Sequence, residues 1–413
     1  MRICLLVYEF PHSLDDAIVS GEIKNPYHLA RGLMANGHEL IVVSVPFLTR
    51  AVRTAAIRPD SMPLTYDVPD GRLRSVARYA LRIRNLERFL GGQLADRPFD
   101  VIHAQAPALA AAALRARRNG AWRTSTPIVT TAHGTYVPEI EGDRVKRSAR
   151  EVLRTMSGRL TLNTDREAFR ASDAVIAASR FQEAEMVGLY NVPPAKVLVI
   201  YNGVDLHLYR PDGPAAALAE TSIGRNDKVV LFVGRLVPKK GLQHLIEAFP
   251  DISERIPNAR CLVVGGSTAF DTFGPTLREM VRLKGLAERF SWLQGVPEID
   301  LPSIYRRASV SVFPSVNYES LPTVVLESMA CGIPAIATNR WGTPEALGSS
   351  HPGLVRQGEP KELARAVVAL LSQPKTAEAV RRDQLARIGT FSLDTAVARH
   401  EELYVRVAAK AHR

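Results

Sequence analysis

Short β-branched or apolar runs alternate with helical patterns from one end of this chain to the other, and this alternation restricts the fold more than any other feature. The runs are Ile3–Val7, Leu40–Val45, Val101–His103, Ile128–Thr131, Ala174–Ala177 and Val197–Tyr201. After a break they resume at Val229–Val233, Cys261–Val264, Phe290–Leu293, Val310–Phe313 and Ala335–Thr338. Runs apolar on both faces need cover on both sides, which is the condition of a strand inside a parallel sheet. The helical segments between them supply the cover and the crossovers. Two such series in tandem predict an α/β chain with two doubly wound domains, and 413 residues exceed one ordinary core.

The break follows "VIYNGVD". Gly203 to Thr221 carry glycine, proline and an Ala-rich stretch with little strand character, and read as a linker. The predicted domains are 1–205 and 216–390, with a helical tail, 391–413, packing back toward the first domain. The opening "MRICLLVYEFP" is short and lacks a small-residue cleavage site, so it reads as a first buried strand and not as a signal peptide. Phe47–Gly71 and Gly142–Leu160 are taken as insertions near a substrate. Ligands of doubly wound domains bind beyond the carboxyl ends of the strands, so functional residues are sought just after each run.

Composition narrows the partners. Hydrophobic residues at 46% and charged residues at 23% describe a globular chain, and no apolar run is long enough to span a bilayer. Cys4, Cys261 and Cys331 are odd in number, lie in apolar stretches and lack metal-ligand spacing. They read as small buried hydrophobes of a reducing compartment, which implies a cytoplasmic protein. A net charge of +11 favours anionic partners: phosphorylated substrates, nucleic acid or an acidic membrane surface. No recognition motif or aromatic-basic stacking surface supports nucleic acid. The first strand is not followed by G-x-G-x-x-G, which argues against a dinucleotide oxidoreductase.

The sharpest motif is "NYESLPTVVLESMACGIPAIAT", after the run ending at Phe313. Glu319 and Glu327 are eight positions apart, separated by Pro322, which suits the first position of a helix. Gly332 ends that helix and Pro334 begins the next strand. Glu319 is therefore placed in the loop before the helix and Glu327 in its second turn. Backbone N–H groups of Thr323 and Val324 at the helix N-terminus suit a phosphate. A carboxylate before the helix can hold sugar hydroxyls, and one inside it can take both hydroxyls of a ribose. A capping carboxylate plus an exposed helix glutamate is the alternative.

The second motif is "VLFVGRLVPKKGLQHLIEAF", with Gly234, Arg235, Lys240 and Gly241 in the turn between a strand and a helix. It is not a P-loop, since G-x-x-x-x-G-K-[ST] is absent. Two cations there can converge on one diphosphate and offset the charge that grows as a leaving group departs. Solvated surface cations are the alternative.

With these motifs the chain resembles the retaining glycosyltransferases of glycosyltransferase family 4, which have the GT-B fold of two Rossmann-like domains facing across a cleft. The resemblance rests on Glu319-x7-Glu327 with the run Glu327 to Pro334, and on the "G-R-x4-K-G" loop from Gly234 to Gly241. "RGLMANGHEL", "ASDAVIAASR", "VIYNGVD" and "SIYRRASVSVFPS" extend it over nearly the whole chain in the expected order. The resemblance implies an acceptor-binding first domain and a donor-binding second domain. It implies that Arg235 and Lys240 bind the donor diphosphate and Glu327 its ribose. Glu319 would lie beside the donor sugar and support positive charge near the anomeric carbon. His133, in "IVTTAHGTY", would reach the 6-hydroxyl region of that sugar. His103, also at a strand end, is left open. Gly21 is the candidate for close backbone approach to phosphate after the first strand. The implied chemistry is metal-independent front-face displacement, with the departing β-phosphate accepting the acceptor's proton and no resident cofactor.

This chain departs from the family pattern at two places. Ser20–Gly21–Glu22 stands where paired glycines are usual, which puts acceptor-side geometry in doubt. Trp341–Gly342 stands where a Gly–Gly pair is common, which would reshape the floor of the nucleotide pocket. The residues leave open whether the donor carries UDP or GDP, and whether the acceptor is a sugar, a lipid or a small metabolite. Oligomeric state is equally open. A catalytically silent sugar-nucleotide-binding module and a sugar-nucleotide epimerase on the same fold are the competing readings. Intact Glu319, Glu327, Arg235 and Lys240 argue against the silent module.

The basic segment 72–90 has Val76, Tyr79, Ala80, Ile83, Leu86 and Leu90 at helical spacing, with Arg74, Arg78 and Arg82 in a row. Such a helix docks its apolar stripe on its own domain or lies peripherally on an anionic membrane. Membrane contact predicts co-sedimentation with vesicles that requires anionic lipid and fades with added salt; no co-sedimentation at low salt would remove it.

Overall fold

The computed structural model describes residues 1–8, 10–11, 21–45, 64–67, 76–93, 99–120, 125–134, 162–266 and 273–411. Two compact units emerge. The first is built from Met1–Phe10, Glu22–Tyr201 and Ala396–Arg413, and the second contains Asn202–Thr395.

The first unit holds the strands β1 (Arg2–Val7), β2 (Glu39–Ser44), β3 (Leu64–Asp67), β4 (Val101–Ala104), β5 (Ile128–Ala132), β6 (Ala174–Ala177) and β7 (Val197–Val199). They form a parallel sheet in the order β3-β2-β1-β4-β5-β6-β7. The register is explicit: Ile3 lies against Leu40 on one side and Val101 on the other. β1, β4 and β5 are buried almost throughout, as their two-faced apolar patterns require. β3 lies inside the segment read as an insertion near a substrate. At least Leu64–Asp67 of that segment is instead an edge strand, paired with β2 from Ile41↔Leu64 to Ser44↔Asp67. The sequence "LTYD" is short and half polar, so its pattern does not separate it from a loop. Gly142–Leu160 lies outside the described residues.

The second unit holds β8 (Lys228–Val233), β9 (Ala259–Val264), β10 (Phe290–Leu293), β11 (Val310–Phe313), β12 (Ala335–Thr338) and β13 (Leu354–Val355). Its sheet is also parallel, in the order β10-β9-β8-β11-β12-β13. In each sheet the strand order reverses once, between β1 and β4 and between β8 and β11. Loops leaving the two central strands then diverge to opposite faces, and the crevice between them is where such sheets bind ligands.

Gly203 to Thr221 is not a free linker. Val204 bridges to Ser392, its N–H donates to the Phe391 carbonyl, and Leu393 N–H donates to Val204 O. Tyr209 is buried with its ring edge-on to Tyr305, and Arg306 Nε donates to the Pro214 carbonyl. A segment without strand character is anchored here by one aromatic and by backbone bonds, which periodicity does not detect.

The helix Leu393–Ala411 runs from the second unit into the first, where Leu403, Tyr404 and Val407 are buried. Within the first unit, Glu401 Oε1 accepts from Asn36 Nδ2 at 2.8 Å and lies 2.8 Å from His38 Nε2. The basic segment forms the helix Val76–Gln93, with Leu86 and Leu90 in the core and Arg84 and Arg88 exposed. The described part of its apolar stripe therefore docks on its own unit; Arg74 and the side chains of Arg78 and Arg82 lie outside the described residues. All three cysteines are buried, and none forms a disulfide. No described helix is long and apolar enough to cross a membrane.

Three buried histidines make the fold acid-sensitive. Burial pushes His400 down to about 4, against a counteracting bond to Ala396 O. Burial likewise pushes His351 down to about 4, and it holds His103 well below the ordinary imidazole value. The unfolded chain protonates these rings near 6.5, so from there down to about 4 it binds more protons than the folded chain. Their contribution to stability is complete above that window and falls as pH drops through it. The urea midpoint is expected to fall between pH 6.5 and 4, less steeply in His351→Gln and His400→Gln. Equal slopes in wild type and variants would contradict this.

Candidate functional site

The loops after β8 and β11, the two strands at the switch point of the second sheet, are stitched together by backbone. Gly241 has φ +77°, and a Cβ there would lie 1.8 Å from the Pro314 carbonyl oxygen. Only glycine allows that approach. Val316 N–H donates to Lys239 O at 2.9 Å, and Thr338 Oγ1 donates to Ser315 O at 2.8 Å. Lys240 thus arrives beside Glu319.

The result is an ion pair across 79 residues of sequence. Lys240 Nζ donates to Glu319 Oε1 at 2.5 Å, and Ser315 Oγ donates to the same oxygen at 2.9 Å. Lys240 and Glu319 side chains are 25% and 15% exposed, so solvent screens the pair only in part. Glu319 O accepts from Gly342 N–H, tying this loop to the turn after β12. Among the described residues no carboxylate lies within ion-pair distance of Arg235. Gly234 precedes it; its N–H continues the sheet by donating to Val264 O, and its carbonyl packs where a Cβ at Gly265 would fall, 1.9 Å away.

The helix after this loop spans Thr323–Ala330. Pro322 is its N-cap and not its first turn, one residue outside the predicted place, and Val325 N–H donates to Pro322 O. Thr323 and Val324 therefore occupy the first turn, where backbone N–H groups point along the axis and out of the N-terminus. Gly332, at φ +69°, follows the C-cap Cys331, as expected of a helix stop.

Glu327 is 2% exposed, which removes the alternative of an exposed helix glutamate. Tyr305 Oη donates to Glu327 Oε2 at 2.9 Å. Burial, then the charge of Glu327, hold the Tyr305 hydroxyl far above the phenol range, so it remains a donor. Tyr209 is likewise raised, by burial first and Glu327 next. Tyr305 and Ser315 are the site residues that sequence reasoning missed. Tyr305 lies in the quoted run "SIYRRASVSVFPS", but a tyrosine at apolar spacing looks like core until its hydroxyl is seen to meet a carboxylate.

Trp341 has φ +56°, so a bulky residue occupies the left-handed region that glycine favours, at a cost of about 1–3 kcal/mol. The Arg340 guanidinium sits 5.4 Å from the Trp341 ring centroid. The departure visible in the sequence therefore places an indole one residue from Gly342, whose N–H donates to Glu319 O.

In the first unit, His133 follows β5, and its Nε2 lies 2.6 Å from Gln105 Oε1. His103 is fully buried between Tyr404 and Thr131. Gly21 is the first residue of the helix Gly21–Ala35; its neighbour Ser20 lies outside the described residues. The structure thus brings Lys240, Glu319 and the Thr323 helix into one arrangement within the second unit. His133 lies directly after β5, and Gly21 opens the helix that precedes β2.

Comparison with known proteins agrees with this architecture. Residues 26–208 match the family model for Glycosyltransferase Family 4, and residues 217–384 match that for Glycosyl transferases group 1. The chain is 30% identical over 289 residues to a D-inositol 3-phosphate glycosyltransferase of Corynebacterium glutamicum (strain R), covering 68% of this chain and 67% of that one. It is 31% identical over 273 residues to a GDP-mannose-dependent alpha-(1-6)-phosphatidylinositol monomannoside mannosyltransferase of Mycolicibacterium smegmatis, covering 64% and 65%. The chain spans between half and two thirds of the length of the first curated relatives it matches. Among solved structures, a sucrose-phosphate synthase from Thermosynechococcus elongatus superposes with a TM-score of 0.81 over 99% of both chains at 21% identity, a likeness of fold. That fold is GT-B, two tandem doubly wound α/β domains, and the chain belongs to glycosyltransferase family 4.

Proposed function

We propose that this chain is a retaining hexosyltransferase that moves a sugar from a UDP- or GDP-linked donor to a hydroxyl acceptor. The observation that carries this is the switch-point arrangement: Lys240 held on Glu319, Arg235 with no carboxylate within ion-pair distance among the described residues, and a helix N-terminus beginning at Thr323. The donor diphosphate supplies the anion that these cations and amides suit.

On this reading the second unit binds the donor. Arg235 and Lys240 neutralise the diphosphate, assisted by backbone at Gly234 and by the N–H groups of Thr323 and Val324. Glu327, oriented by Tyr305, takes the ribose. Lys240 leaves Glu319 for the phosphate, and Glu319 turns to the donor sugar's hydroxyls. The first unit binds the acceptor, while His133 contacts the donor sugar and Gly21 offers backbone to phosphate. The bond from the anomeric carbon to the β-phosphate oxygen breaks. The acceptor oxygen bonds that carbon on the same face, and its proton passes to the departing phosphate. No protein base and no metal are required, because Arg235 and Lys240 stabilise the growing negative charge. A net charge of +11 suits an anionic acceptor, a chemistry shared by the phosphorylated and lipid acceptors in the relatives' names.

A thermal-shift screen with UDP, GDP, ADP, TDP and their sugar conjugates tests the donor site, since a ligand of the folded state raises the unfolding midpoint. One nucleotide family is expected to stabilise the protein. Glu327→Ala should weaken that binding by about 1.5–3 kcal/mol, the worth of a hydrogen bond to a charged group. Lys240→Ala should cut turnover by roughly two to three powers of ten. Full activity in both variants would overturn the site, a shift without sugar transfer to any acceptor would favour the silent sugar-nucleotide-binding module, and no shift with any nucleotide would count against the donor site.

A further inference from the structure

A chain of polar contacts at the end of the first sheet links the C-terminal helix to His133. Tyr404 Oη lies 2.6 Å from His103 Nδ1, and Thr131 Oγ1 lies 2.7 Å from His103 Nε2. His400 packs at a tilt against the same ring, 5.6 Å between centroids, with its own Nδ1 2.7 Å from Ala396 O. His103 is fully buried, and burial, followed by the neighbouring His400 and His133, keeps it neutral. One of its nitrogens therefore donates and the other accepts, and both in-plane positions are filled. Gln105 Nε2 lies 3.3 Å from each of those nitrogens, off both filled positions, so its N–H edge packs against the ring as a weak donor and its carbonyl faces the other way. That carbonyl oxygen is the atom 2.6 Å from His133 Nε2.

An amide oxygen only accepts, so the contact requires a hydrogen on His133 Nε2. We infer that Tyr404, His103 and Gln105 form a positioning relay that fixes His133 as the Nε2–H tautomer and locks the orientation of its ring. The driving force is satisfaction of buried polar groups: Gln105 is 5% exposed and His103 fully buried, so turning either leaves an unpaired group at a cost few alternatives offset. In the neutral His133 ring Nδ1 is then the acceptor. The C-terminal helix thereby has a second role besides covering the sheet, because two of its side chains pack on the ring from which the relay starts. Only the catalytic consequence rests on reading His133 as a sugar contact; the tautomer is fixed whether or not sugar binds.

Nitrogen NMR of the full chain labelled with ¹⁵N-histidine tests this, with the His133 signals identified by their loss in His133→Gln. A pyrrole-like Nε2 and a pyridine-like Nδ1 are expected in the wild type at neutral pH. Gln105→Leu should yield a mixture of tautomers, Tyr404→Phe a smaller shift in the same direction, and Gln105→Glu, which keeps an acceptor oxygen, the wild-type pattern. An Nδ1–H ring in the wild type, or an unchanged ring in Gln105→Leu, overturns the relay. In kinetics, Gln105→Leu should lower kcat about fivefold to tenfold, with no further loss when combined with His133→Gln. If His133→Gln alone keeps full kcat, the sugar-contact reading fails while the NMR result still decides the relay.

Discussion

The site in the second unit depends on one close approach: the Cα of Gly241 against the carbonyl of Pro314, where a Cβ would come within 1.8 Å of the oxygen. β8 and β11 are neighbours in the sheet, but their loops leave it in separate stretches of chain. Without a contact this tight the loops would be held only at the strand ends. With it, the turn carrying Arg235 and Lys240 is fixed against the turn carrying Ser315 and Glu319, and a lysine and a glutamate distant in sequence become partners. The parallel sheet supplies the switch point, and glycine lets the backbones meet there.

That arrangement explains how charges can wait for an anion. Lys240 without a partner in a partly buried loop would be costly, and Glu319 would carry the same penalty alone. Each satisfies the other, and on the proposed function a diphosphate takes the place of Glu319, while among the described residues no carboxylate competes for Arg235. Glu327 is prepared differently. It is buried and held by Tyr305, whose hydroxyl burial keeps protonated, so its orientation is set before any ligand binds. On the proposed function one carboxylate is thus exchangeable and the other fixed.

Much of this architecture can be read from the chain itself, and the failures have physical causes. Strands apolar on both faces, such as β1 and β9, announce a parallel sheet, and their bounds fall within about two residues of the pattern. β3 and β13 escape because four and two residues carry too little periodicity to rise above loop. Tyr209 turns a glycine- and proline-rich stretch into part of a core, which composition does not reveal. Glu319, Lys240 and Glu327 can be singled out by their places after strands and within a helix. Their partners cannot, because Lys240–Glu319 and Tyr305–Glu327 are contacts across 79 and 22 residues, fixed by packing alone. Gln105, between two histidines that the sequence did single out, carries no local pattern.

The proposed exchange of Lys240 between Glu319 and a diphosphate is tested most directly by calorimetric titration of Glu319→Gln with UDP and GDP beside the wild type. Removing the internal anion leaves Lys240 free for the phosphate. The variant should therefore bind the preferred nucleotide at least as tightly as the wild type, while its sugar transfer falls. Loss of nucleotide binding by tenfold or more in a folded variant would contradict this, since Glu319 would then be supporting the nucleotide rather than competing for its lysine.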